Sequence, residues 1–114
     1  MAPQLSDPLT LPCGVTIPNR IAKAAMTEGL ATPDGVATPQ LARLYRLWSE
    51  GGAGVLISGN ILIDRDHLER PGNVVLQDGK VDSDKAAKQA LRDWTHAATS
   101  GYHKDQQFLS LIHI

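Results

Sequence analysis

The stretch SEGGAGVLISGN, residues 49–60, places four glycines around a short apolar run and ends in an amide. In a phosphate-binding loop the glycines follow a strand and open a helix, because the helix N-terminus supplies backbone amides and a positive dipole. Here Gly51 and Gly52 follow a helical pattern instead, where glycine can adopt the left-handed conformation that ends a helix. The stretch therefore predicts the end of a helix and the start of a strand, and not a phosphate loop.

The helix before these glycines has a recognisable start and one apolar face. Thr38 followed by Pro39 is typical of an N-cap with proline at the first helical position. Apolar residues then recur at the helical spacing of three and four, at Leu41, Leu44, Tyr45 and Trp48. We expect an amphipathic helix that packs this face against a core.

The strand after the glycines, residues 55–63, is apolar on both faces, as in a parallel sheet covered on both sides. Ser58, Gly59 and Asn60 interrupt the apolar run. Polar or missing side chains partway along a buried strand indicate either the close approach of another group or a bulge. The pattern alone leaves both interpretations open.

Two further elements are predicted before the helix. Residues 9–21 alternate apolar and polar side chains around a Pro-Cys-Gly turn, which predicts a short hairpin. Cys13 in that turn is the sole cysteine and has no histidine near it in the sequence, so we interpret it as a turn residue and not as a nucleophile. Residues 20–27 predict a strand that is buried over most of its length.

A polar loop and a second helix follow the glycine-containing strand. The loop carries four potential metal ligands, but their spacing matches no established site, so we expect a solvated loop; these residues are Asp64, Asp66, His67 and Glu69. The next helix is capped by Asp82 or Ser83 and ends near Gly101, with His96 on its surface. Its apolar face comprises Ala87, Ala90, Leu91, Trp94 and Ala98.

The predicted order is hairpin, strand, helix, strand, helix, which is typical of a parallel α/β sheet. Two such units leave both sheet edges unpaired, so they fit the opening of a larger repeat such as an eight-unit barrel of roughly 250 residues. A length of 114 residues is enough for one domain at most. The net charge is -1 and the sequence contains no basic block, which argues against nucleic acid as a partner. Neither a signal peptide nor an apolar run of membrane-spanning length is evident, so we expect a cytoplasmic protein.

Residues 9–101 closely resemble the N-terminal segment of the Old Yellow Enzyme family, the FMN-dependent NADH:flavin oxidoreductases. The motifs that carry the resemblance are Pro-Asn-Arg-Ile, Ala-Ala-Met-Thr, Gly-Gly-Ala-Gly and Pro-Gly-Asn, in that order. The resemblance implies the N-terminal part of an FMN-binding (β/α)8 TIM barrel over residues 1–101, with a floor hairpin and about two βα units, and no closed barrel within this chain. It also implies hydride transfer from NAD(P)H through FMN to a small-molecule acceptor such as an electron-poor alkene.

The same resemblance implies which residues contact the cofactor. Ala25, Met26 and Thr27 match the end of the first barrel strand, where the family packs against the isoalloxazine ring. The Thr27 hydroxyl would favour negative charge on the reduced ring and so tune its redox potential. Asn60 matches a flavin-lining position at the end of the second strand. The family usually has proline where this chain has Ala25, which affects backbone rigidity and not chemistry.

The resemblance ends near Gly101. The family's third strand carries a glutamine and a His-x-Gly-Arg-like segment, and later strands supply the substrate-binding histidines, a proton-donating tyrosine and the phosphate site. Residues 102–114 follow none of these patterns, so we expect an atypical tail that reflects a truncated or misread end, although its apolar residues can form a strand. An alternative is therefore a catalytically inactive fragment or a non-enzymatic interaction module.

Overall fold

The computed structural model describes residues 2–76, 85–99 and 107–113. It begins with a short antiparallel hairpin of two strands, β1 (Leu9–Thr10) and β2 (Thr16–Ile17). The turn between them holds Cys13, which is exposed. The predicted hairpin with Cys13 in its turn is therefore confirmed.

A second sheet consists of four strands: β3 (Ala22–Lys23), β4 (Val55–Leu62), β5 (Val74–Val75) and β6 (Gln107–His113). β4 is central and pairs in parallel with each of the other three. β3 pairs with the first residues of β4, β5 with its last residues, and β6 along most of its length. The parallel arrangement is as predicted, and within the described residues the sheet is not closed into a barrel.

Two helices connect these strands, α1 (Pro39–Glu50) before β4 and α2 (Lys85–Ala98) before β6. Thr38 caps α1 as predicted, since its hydroxyl oxygen accepts a hydrogen bond from the Leu41 N–H at 3.2 Å. At the other end Gly51 keeps a right-handed backbone, and Gly52, with φ of 97°, takes the left-handed conformation. No helix of the described residues is long and apolar enough to cross a membrane.

The core lies between the sheet and the two helices. Tyr45 and Trp94 are almost completely buried, and their rings meet edge to face with centroids 5.5 Å apart. Each helix thus presents the apolar face that the sequence predicts. The predicted caps Asp82 and Ser83, the predicted helix end near Gly101 and the side chain of Ala87 lie outside the described part of the chain.

Two sequence predictions need correction. The strand predicted over residues 20–27 is shorter and less buried than expected: only Ala22–Lys23 forms a strand, and the side chains of residues 24–26 are exposed. The pairing of β3 with β4 ends at Lys23, and residues 24–27 belong to no strand. The loop after β4 also contains a buried strand, Val74–Val75, which is too short to show an alternating pattern. The domain boundary at residue 101 stays a prediction.

Candidate functional site

The segment that follows β3 and the last residues of β4 bring together two polar side chains that are far apart in the sequence. The Asn60 Nδ2 donates a hydrogen bond to the Thr27 Oγ1 at 2.7 Å. Both side chains are half-buried. Because ligands of parallel α/β proteins bind at the carboxyl ends of strands, this pair marks the candidate site.

A carboxylate from the loop after β4 completes the polar cluster. The Thr27 Oγ1 donates to the Glu69 Oε2 at 3.4 Å, and the Arg70 Nε donates to the Glu69 Oε1 at 2.7 Å. Desolvation acts to raise the pKa of Glu69, but hydrogen bonds from Arg70, Asn60 and Asn73 together hold it below the ordinary value. Glu69 is therefore an anion at neutral pH and accepts hydrogen bonds from the cluster.

Ala25 and Met26 lie beside this cluster, on the segment that leaves the sheet after β3. Both are exposed, and 49% of the Met26 surface is accessible. A large apolar side chain that is half accessible next to polar groups offers contact area to a flat ligand. The structure thus places all four residues implied by the resemblance at one edge of the sheet.

A second polar network, the lower network, lies closer to the core and consists of Glu28, Tyr45, Gly59 and Lys23. The Glu28 Oε1 accepts hydrogen bonds from the Tyr45 hydroxyl and from the Gly59 N–H, the latter at 2.9 Å. Burial raises the pKa of Tyr45, and the hydrogen bond to Glu28 and the charge of Glu28 act in the same direction. Tyr45 therefore remains a neutral donor toward the carboxylate.

Lys23 joins this lower network from β3. Its Nζ donates to the Ile57 carbonyl oxygen at 2.6 Å and to the Tyr45 hydroxyl oxygen at 3.1 Å. The ammonium also lies over the rings of Tyr45 and Trp48, 4.9 and 4.5 Å from their centroids. Burial lowers the pKa of Lys23, and the nearby Glu28 charge partly opposes that shift. Lys23 thus links the strand, the helix and the carboxylate.

The loop that follows β4 closes onto the segment that follows β3. The Ala31 N–H donates to the Gly72 carbonyl oxygen at 2.9 Å. Gly72 has φ of 87°, and a Cβ there would lie 2.7 Å from the Gly29 carbonyl oxygen. The Pro-Gly-Asn motif therefore requires glycine for this close approach, and it holds Glu69 and Arg70 near Thr27.

The sequence pattern did not identify two residues of the site. Glu28 is the one carboxylate in the apolar segment AAMTEGL, residues 24–30, and a charge in such a run is the signal that identifies it. Glu69 lies in the predicted solvated loop and is exposed, but its carboxylate also accepts a hydrogen bond from Thr27. Asp64 and His67 form an exposed pair at 2.7 Å, and the described residues contain no group of three metal-ligating side chains.

Comparison with curated proteins identifies flavin oxidoreductases as relatives. The chain is 38% identical over 93 residues to the NADH-dependent flavin oxidoreductase iliE of Neonectria sp. (strain DH2), covering 79% of this chain and 12% of that protein. It is 32% identical over 110 residues to the NADH-dependent flavin oxidoreductase iccE of Talaromyces variabilis, covering 96% of this chain and 25% of that protein. The chain therefore spans a quarter or less of these two relatives. No sequence-family model matches it.

Comparison with solved structures gives the same result for the fold. The old yellow enzyme homologue from Zymomonas mobilis superposes with a TM-score of 0.63 at 28% identity, and the match covers 96% of this chain and 28% of that one. The structural neighbours are TIM barrels, so the unclosed sheet described above is part of such a barrel, as predicted. By sequence and by fold, the chain belongs to the Old Yellow Enzyme family.

Proposed function

We propose that this chain forms one wall of the FMN site of an NAD(P)H-dependent oxidoreductase. The observation that carries the proposal is the hydrogen bond of 2.7 Å between Asn60 and Thr27. Asn60 lies on β4 and Thr27 on the segment that follows β3, and the family resemblance assigns both to the cofactor. Their meeting at the carboxyl edge of the sheet supports that assignment.

The chemistry of this edge suits an isoalloxazine ring. The ring is flat and apolar on its faces and carries carbonyl oxygens and nitrogens along its rim. Met26 and Ala25 offer exposed apolar surface for a face. The Thr27 hydroxyl and the Asn60 amide, which donate to Glu69 and to Thr27 in the chain alone, can exchange these bonds for bonds to the rim. The residues present therefore fit the ring, while the phosphate of FMN would be bound by other parts of the barrel.

The chemistry that FMN supplies when bound is the transfer of hydride from NAD(P)H to an electron-poor alkene or a similar acceptor. The chain's own residues would bind and orient the ring. A hydroxyl that donates to a ring carbonyl stabilises negative charge there, so Thr27 would raise the affinity for the reduced ring relative to the oxidised ring. The Asn60 amide would hold the Thr27 hydroxyl in place.

Titration of the purified chain with FMN and with lumiflavin, which lacks the phosphate, tests the proposal. If the chain contacts only the ring, both flavins bind weakly and with similar affinity. Thr27→Val removes the hydroxyl at nearly constant volume and should weaken binding about fivefold to tenfold. Thr10→Val, in the exposed hairpin, is the matched control and should leave the affinity unchanged.

The alternative is that the chain is a catalytically inactive fragment or an interaction module. Failure of the folded chain to bind either flavin at millimolar concentration would favour this alternative. Binding that is equally strong in the Thr27→Val variant would locate the flavin elsewhere and would overturn the assigned site.

A further inference from the structure

The hydrogen bonds of the sheet do not set the approach of Thr27 to Asn60. β3 ends at Lys23, which is paired with Leu56, and residues 24–27 belong to no strand. The pairing of β4 with β6 is also irregular between Ile57 and Asn60. Some other contact must therefore hold the segment that carries Thr27 against the end of β4.

Glu28 provides that contact. It is adjacent to Thr27 in the sequence, and its carboxylate accepts a hydrogen bond of 2.9 Å from the N–H of Gly59, the neighbour of Asn60. A Cβ at Gly59 would collide with the Met26 carbonyl oxygen and with the Glu28 carboxylate. Glycine at this position thus lets the two segments approach, and the carboxylate fixes them there.

The carboxylate is itself anchored to the core. Its second donor is the hydroxyl of Tyr45, whose ring is fully buried between those of Trp48 and Trp94. Lys23 donates to the same hydroxyl oxygen from β3. A side chain that is hydrogen-bonded to a buried aromatic residue has little conformational freedom. Glu28 therefore couples the position of α1 to that of the segment that carries Thr27.

We propose that Glu28 is a positioning residue that sets the Thr27–Asn60 contact through the reach of its side chain to Gly59 and Tyr45. The importance of this role for flavin chemistry rests on the proposed function. The positioning role of Glu28 concerns the folded chain alone and does not depend on whether FMN binds. It predicts that the length of the side chain at position 28 matters more than its charge.

Two substitutions separate length from charge. Glu28→Asp keeps the charge and shortens the side chain by one methylene, so the carboxylate no longer reaches the Gly59 N–H. Glu28→Gln keeps the length and an acceptor oxygen but removes the charge. The readout is the NMR nuclear Overhauser effect between the Asn60 side-chain amide and Thr27 in the 114-residue chain. The control is Glu50→Asp, at the exposed end of α1.

We expect this Overhauser effect in the wild type, in Glu28→Gln and in Glu50→Asp, and its loss in Glu28→Asp. The effect between the Tyr45 and Trp94 rings should persist in all four proteins and shows that the core is intact. Retention of the Thr27–Asn60 effect in a folded Glu28→Asp variant, or its loss in a folded Glu28→Gln variant, would overturn the proposal.

A third variant decides the matter if Glu28→Asp loses the core. Tyr45→Phe keeps the ring and removes the hydroxyl that donates to the Glu28 carboxylate and also accepts from the Gly59 N–H at 3.2 Å. A weaker Thr27–Asn60 effect in this variant supports the proposal, and an unchanged effect overturns it. Because none of these measurements contains flavin, a protein that passes them and fails to bind FMN would refute the proposed function and leave the positioning role of Glu28 intact.

Discussion

The two ends of the β3–β4 pair are held together in different ways. At the amino end, the buried side chain of Asn19 donates to the Gly52 carbonyl oxygen at 2.7 Å. Its Oδ1 accepts from the backbone N–H groups of Ile21 and Gly54 at 3.1 and 2.8 Å. At the carboxyl end, Glu28 bonds to one backbone N–H and one side chain.

This difference supports the proposal that a ligand binds at the carboxyl end of the sheet. Asn19 is a buried neutral amide that is bonded to backbone on both its oxygen and its nitrogen. The carboxyl end instead leaves Thr27, Asn60 and Met26 at least partly accessible. A hydrogen bond between two partly accessible side chains, such as that between Thr27 and Asn60, can be exchanged for bonds to a ligand, whereas bonds to buried backbone groups cannot be given up without loss of stability.

The largest effect is expected from Asn19→Ala at the amino end. The substitution removes three hydrogen bonds to backbone groups at Ile21, Gly52 and Gly54, of which the one to Gly54 is buried, and we expect a loss of about 3 kcal/mol in the free energy of unfolding. Urea denaturation followed by tryptophan fluorescence measures it. Gln40→Ala, on the exposed first turn of α1, is the control, and a loss as small as that of the control would show that Asn19 does not hold this end together.

Gly59→Ala should have the next largest effect, at the carboxyl end. The new methyl group meets the Met26 backbone and the Glu28 carboxylate, so the segment must move away, at a cost of about 2 kcal/mol. Gly51→Ala is the control, because φ of -67° at Gly51 suits any residue. Equal stabilities of the two variants in urea denaturation would contradict the close packing inferred at Gly59.

Tyr45→Phe tests the anchor of the carboxyl end and should have a smaller effect. It removes the hydroxyl that donates to Glu28 and accepts from Lys23, while the ring stays in the core. We expect a loss of about 1 kcal/mol, measured by urea denaturation at neutral pH. A midpoint identical to that of the wild type would show that the lower network adds nothing to stability.

The smallest effect concerns pH and Glu69. The folded-state pKa of Glu69 lies below its ordinary value of 4.5, so its stabilising contribution is complete above pH 4.5 and is lost as the pH falls through the lower folded value. Glu69→Gln should therefore show a smaller loss of stability between neutral and acidic pH than the wild type. If the free energy of unfolding falls by the same amount in both proteins between neutral and acidic pH, Glu69 does not make this contribution.

Much of the fold could be predicted from the sequence. The hairpin, the cap at Thr38, the helix end at Gly52 and the parallel β4 follow from local patterns, because turn residues and apolar periodicity are local properties. The length of β3 could not be predicted in this way. It is set by the pairing of β3 with β4, which ends at Lys23 and Leu56 and joins residues that are far apart in the sequence.

The candidate site was predicted only in part, for a related reason. Thr27 and Asn60 were identified through family resemblance, and nothing local predicts that their side chains meet. The interrupted stretch at Ser58, Gly59 and Asn60 left a bulge and a close approach as alternatives. The structure contains both, since β4 is irregular at this point and Gly59 packs against the segment of residues 26–28.

The measurement that tests the central claim most directly is a map of amide chemical shifts in the 114-residue chain as FMN is added. We predict that the largest changes occur at the backbone amides of Ala25, Met26 and Thr27 and at the side-chain amide of Asn60. Amides at the opposite end of the strands, at Asn19 and Gly54, should remain unchanged. Changes concentrated at that opposite end, or no changes in the folded chain at millimolar FMN, would contradict the account.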